Sequence, residues 1–236
     1  MERIPIMKYL LPILFAFCFF SCQHHSDNWE KICDIENYIE SRPDSALTVL
    51  EAIDIETLSS DEERAKYALY MSMALDKNYI DNTDFEVLQP AIDYYENHGS
   101  ATDKLRTLYY QGRIYQNGGD NEKAMNCFVN ALESSASSYD HITIARCFYS
   151  QGTIYQYMYD WKKVIESNIN ASNYFKYCNN INSQFRSLLR AINGYSQLND
   201  INKASEIMAH LQSSVFKLSK DLIDSIHEEG IVAYTS

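Results

Sequence analysis

A forty-residue echo constrains this chain more than any other feature. Gln111-Gly112-Arg113-Ile114-Tyr115 returns as Gln151-Gly152-Thr153-Ile154-Tyr155, and forty residues later the same slot holds Ala191-Ile192-Asn193-Gly194-Tyr195. Asp120, Asp160 and Asp200 follow each tyrosine at one fixed distance, and Ala124, Val164 and Ala204 sit four further on. A fixed period of this size marks a stacked array in which each unit buries its apolar face on its neighbours. Such arrays usually bind partners and rarely carry out chemistry. Composition agrees: 7 Gly and 4 Pro in 236 residues leave few breakers, and 46% hydrophobic residues supply helix faces. A net charge of -12 disfavours nucleic acid as a partner. The 19 tyrosines read as amphipathic rings at helix-packing positions.

The echo resolves into helix pairs. Small residues at Gly112, Ala124 and Ala131 allow two helices to approach, while Leu108, Tyr115 and Phe128 fill the space between those contacts. Asp120 reads as the N-cap of the second helix. The next copy has Phe148, Gly152, Tyr155, Asp160, Val164 and Ala171, with Asn168 in the slot of Phe128. The third has Leu188, Ile192, Tyr195, Asp200, Ala204, Met208 and Leu211. A weaker fourth lies upstream, through Ala68, Ser72, Leu75, Leu88 and Ala91. Ser60-x-x-Glu63 and Thr83-x-x-Glu86 read as capping boxes at the starts of its two helices, and Gly99 as a helix stop. Trp29, Ile32, Ile35, Tyr38 and Ile39 have helical spacing, and Pro43-Asp44 opens a second short helix, so 28–58 reads as a divergent N-terminal pair. Nothing in 28–236 calls for a strand.

Leu108-x2-Gln111-Gly112-x2-Tyr115 followed by Ala124-x3-Phe128-x2-Ala131 resembles the tetratricopeptide (TPR) repeat. The resemblance implies an all-α fold, a right-handed superhelical solenoid of antiparallel helix pairs. Its repeats span 60–99, 100–139, 140–179 and 180–220, within 59–220, and 221–236 begins a further or capping helix. The family repeat is about 34 residues, so the longer period places extra residues between one pair and the next, as in Glu133–Asp140.

The N-terminus reads differently. Met7-Lys8 precedes an apolar run from Tyr9 to Phe20, the length of a signal-peptide core rather than of a membrane span. Ser21-Cys22 and a polar stretch follow. This arrangement resembles a bacterial lipoprotein signal, with 1–22 as signal and lipobox-like end and 23–27 as a polar tether. The resemblance implies acylation of Cys22, including palmitate, and a membrane-anchored place in the cell envelope, periplasmic or surface-exposed. An uncleaved anchor or an ordinary secretory signal is the alternative. Cys33, Cys127, Cys147 and Cys178 show no metal or redox spacing and read as free thiols.

In arrays that resemble this one, first helices line the concave groove. One slot in successive first helices holds Lys66, Arg106, Arg146 and Arg186, a cationic ladder on an acidic chain. Tyr109, Arg113, Gln116, Tyr149, Gln156, Arg190 and Asn193 occupy nearby slots. Two roles are open for the ladder: gripping a partner's carboxylates or carbonyls, or pairing with acids of neighbouring helices. No nucleophile–base pair, phosphate loop or zinc-spaced cluster is visible, so neither catalysis nor a cofactor nor a metal is expected. The expected function is a non-enzymatic, lipid-anchored adaptor that binds a protein or peptide partner in the groove. The alternative is the sensory or regulatory portion of an envelope signalling or transcription-regulating system whose output domain is carried elsewhere.

Overall fold

The structure is a computed structural model that describes residues 26–213. The readings on Cys22, the signal run, residues 23–25 of the tether and the segment 221–236 lie outside those residues. Within them the chain forms ten α-helices and no strand. They are α1 (Trp29–Ile35), α2 (Pro43–Glu51), α3 (Asp61–Lys77), α4 (Gln89–Tyr95), α5 (Ala101–Asn117), α6 (Asn121–Ser134), α7 (His141–Tyr157), α8 (Trp161–Tyr177), α9 (Ile181–Gln197) and α10 (Ile201–Ser213). The chain is therefore all-α in its described part. No described helix is long and apolar enough to cross a membrane.

The basic module is twenty residues long, half of the period visible in the sequence. Ser100, Asp120, Asp140, Asp160, Asn180 and Asp200 each accept a backbone N–H three residues on, as N-caps. The residue before several of these caps has left-handed backbone: Gly99, Gly119, Tyr159, Asn179 and Asn199, with Tyr79 in the same phase. The cap N–H then reaches back over it, Asp160 to the Tyr155 carbonyl at 3.0 Å and Asp200 to that of Tyr195 at 2.9 Å. This is the 6→1 bond of a Schellman ending. One aspartate thus closes the preceding helix with its amide and opens the next with its carboxylate. A lysine completes the turn: Lys123, Lys163 and Lys203 each pair with that aspartate and lie 5.0–5.4 Å over the ring of Tyr115, Tyr155 or Tyr195.

Helices α7, α8 and α9 are 17 residues each and are separated by the short turns 158–160 and 178–180. The residues that stretch the period to forty therefore lengthen helices here and do not sit in connectors. Only the 100–139 unit follows the expected form, where α6 stops at Ser134 and a 3-10 turn covers Ser135–Ser137. A second correction falls on Thr83-x-x-Glu86. Helix α4 starts at Gln89, and the Glu86 amide is taken by Asp84 at 3.0 Å, so no capping box forms there. At Ser60 the hydroxyl caps the Glu63 amide as expected, but the Glu63 carboxylate accepts from Ser59 and Ser26.

Short turns make consecutive helices antiparallel neighbours. Along the array, α3 also meets α5 and α5 meets α7. Close approach within a pair depends on glycine. A Cβ on Gly112 would stand 2.5 Å from the Phe128 ring, and one on Gly152 would meet the Asn168 carboxamide. Asn168 is fully buried, donates to the Val164 carbonyl at 2.8 Å and leaves its Oδ1 unpartnered. Ile32, Ile35, Leu50, Leu69, Leu88, Leu105 and Phe128 are at most 1% exposed along one continuous core. Each such side chain contributes about 1.5–3 kcal/mol relative to an exposed one.

Tyrosines divide between two roles. Tyr70, Tyr95, Tyr109 and Tyr110 are core, but Tyr79, Tyr139, Tyr157, Tyr159 and Tyr177 are 69–93% exposed at helix ends. Helix packing accounts only for the first group.

Candidate functional site

The first helices α3, α5, α7 and α9 each present one rung of the ladder, because a forty-residue period returns the slot to the same face. The rungs do not share one environment. Lys66 lies 5.5 Å from the Trp29 ring and 5.7 Å from that of Tyr70. Arg106 is clamped: its Nε donates to Asp140 at 2.5 Å and its Nη1 to Glu36 at 2.8 Å. Arg146 donates twice to Glu40, at 2.9 and 2.8 Å, in a bidentate pair. Lys77 adds a third donor to Glu40 at 2.6 Å, and Tyr70 donates its hydroxyl to Glu36 at 3.0 Å. Arg186 is exposed and makes no ion pair with any described residue.

Glu36 and Glu40 come from the turn that follows α1, 70 and 106 residues away in sequence from the arginines they hold. That segment is fixed by its apolar face, with Ile32, Ile35 and Ile39 at most 1% exposed. The two middle rungs, Arg106 and Arg146, are thus occupied by the chain itself. Burial acts to raise the Glu40 carboxyl, but the bonds and charges of Arg146 and Lys77 prevail and hold it at about 2. Glu36 and Asp140 show the same contest, burial opposed by Arg106, and both are held below the usual carboxylate range.

Other groove residues divide similarly. Tyr109 is 4% exposed and packs on Tyr110 and Phe128, so it is core rather than lining. Arg113 donates to Asp76 at 2.8 Å and to Gln116 at 2.7 Å, bridging α5 to α3. Arg190 lies 4.2 Å over the Tyr149 ring and donates to the Thr153 hydroxyl, bridging α9 to α7. Arg113, Gln116, Tyr149, Thr153, Tyr157 and Arg190 line one cleft of about 400 Å³, with no acidic side chain in its wall. Gln156 is half-buried outside that cleft, and Asn193 is exposed.

A second cleft of about 390 Å³ lies over the occupied rungs, between Glu36, Glu40, Arg106, Asp140, His141 and Cys178. Among the described residues no group of three metal-ligating side chains converges. Cys127 and Cys147 are free and buried, and burial pushes both thiols up, Cys127 to about 11, so neither is a ready nucleophile at neutral pH. The arrangement can bind acceptor-rich groups. Sequence reasoning missed Glu36, Glu40 and Lys77. The one available signal was the Glu36-x3-Glu40 spacing beside Ile32, Ile35 and Ile39, which share one apolar face. No protein-family model matches the chain, and no curated protein matches it.

Proposed function

We propose that this protein is a non-enzymatic interaction scaffold, a TPR-like adaptor anchored to the cell envelope by lipid on Cys22. In this reading the helix pairs continue as a right-handed superhelical solenoid, and a protein or peptide partner lies along the face of its first helices. The observation that carries the reading is the uneven state of the ladder. Arg106 and Arg146 are saturated by the chain's own carboxylates, whereas Arg186 and Arg190 meet no described carboxylate and Arg190 borders an acid-free cleft. Charges committed to the fold need no partner; charges left open on an acidic chain are what a partner recognises.

Affinity capture from envelope membranes tests this, with the wild-type chain beside an Arg186→Gln/Arg190→Gln variant. A protein retained by the first and lost from the second is the expected result. Equal capture by both, or by neither, contradicts it. The anchor is tested separately: Cys22→Ser is expected to abolish palmitate labelling and to move the chain out of the membrane fraction. Unchanged labelling would remove the anchor from the reading.

A further inference from the structure

The adaptor reading leaves the partner's chemistry open, and two observations narrow it. The first is the way the chain seats its own acids. Glu36 and Glu40 lie one helical turn apart, within a turn where the Ile39 amide bonds the Ile35 carbonyl at 2.9 Å. Each carboxylate takes a separate guanidinium, Arg106 and Arg146. The second is that Arg186 and Arg190 lie one turn apart on α9, with no carboxylate partner among the described residues. Arg190 is oriented without being neutralised, since a ring face and a hydroxyl hold it. Arg190 borders the cleft between α5, α7 and α9. Tyr157, 69% exposed, gives that cleft an amphipathic rim.

Resting on the adaptor reading, we infer that this face seats a helical segment of a partner protein that carries two carboxylates one turn apart. Four residues rise about 6 Å along a helix, so two carboxylates at that interval face two guanidiniums at the same interval. Arg suits the task because its planar fork donates to a carboxylate bidentately, as Arg146 does to Glu40. The chain's own acidic turn is not the occupant. Its buried isoleucines fix Glu36 and Glu40 over Arg106 of α5 and Arg146 of α7, and it serves as the internal example of carboxylate–guanidinium pairing, there across two helices.

The test is fluorescence anisotropy on the full chain. The probe is a labelled alanine-based helix of about twenty residues with two Glu at i and i+4, beside the same peptide with Gln at both positions. The Glu peptide is expected to bind at least roughly tenfold tighter, the scale of a lost charge-assisted bond. Arg186→Gln and Arg190→Gln are each expected to weaken it by a similar factor, while Lys162→Gln on the exposed face of α8 leaves it unchanged. Circular dichroism establishes that each variant is folded. Equal affinity for the two peptides, no binding of either, or unchanged affinity in the Arg186→Gln/Arg190→Gln variant overturns the inference. Should membrane capture still depend on those arginines, the adaptor reading survives and only the acidic-helix chemistry falls.

Discussion

At the residue scale, Glu40 joins the N-terminal segment to the array by accepting from Arg146 and Lys77 together. Removing one partner of such a pair leaves the others uncompensated, so Glu40→Gln is expected to cost about 1–3 kcal/mol. Its side chain is 37% exposed, and solvent screening favours the lower end. A double-mutant cycle with Arg146→Gln measures the coupling, and additive effects would refute the pair. The pH dependence has a definite sign. Glu40 is held at about 2 in the fold against an ordinary value of 4.5. Its contribution is complete above about pH 4.5 and fades as pH falls through 2. Glu40→Gln is therefore expected to flatten the wild-type stability profile across that window. An unchanged acid limb would contradict the assignment. Tyr79 makes an opposite case: at φ 59° and 93% exposed, it carries left-handed strain without packing. Tyr79→Gly is expected to stabilise by about 0.5–1 kcal/mol, and a lower thermal midpoint would show that the ring contributes something the geometry does not reveal.

At the element scale, the pairs depend on two glycine contacts that differ in tolerance. The Phe128 ring opposite Gly112 can shift, whereas the Asn168 amide opposite Gly152 is tied to Val164. Gly112→Leu and Gly152→Leu are both expected to destabilise by roughly 1–3 kcal/mol or more, with Gly152 the more sensitive site. Unchanged melting of both would refute the helix-pair packing. Much of this scale was legible in the sequence, because it is local. Asp120, Asp160 and Asp200 act as the caps their spacing indicated, and Gly99 turns the chain with φ 78°. The half-period was not legible, because Asp140 and Asn180 stand where first helices begin and only the shared cap geometry reveals their equivalence to Asp120. Thr83-x-x-Glu86 misled because a capping box needs only side-chain types, while the start of α4 is set by where Leu88 and Ala91 enter the core.

At the scale of the whole molecule, the ladder is one sequence feature with two fates. Its existence was legible from the forty-residue interval; its division was not, because Glu36 and Glu40 reach it across 70 and 106 residues. No periodicity encodes that contact. It arises because the apolar face of α1 docks on the array and brings the following acidic turn over α5 and α7. Arg106 and Arg146 are thereby committed to holding the N-terminal segment, while Arg186 meets no described carboxylate. Thermal unfolding of two variants tests this division most directly. Arg106→Gln/Arg146→Gln is predicted to lower Tm by at least about 5 °C, and Arg186→Gln to leave it within about 2 °C of wild type. Equal losses in the two variants, or the greater loss from Arg186→Gln, would contradict the account.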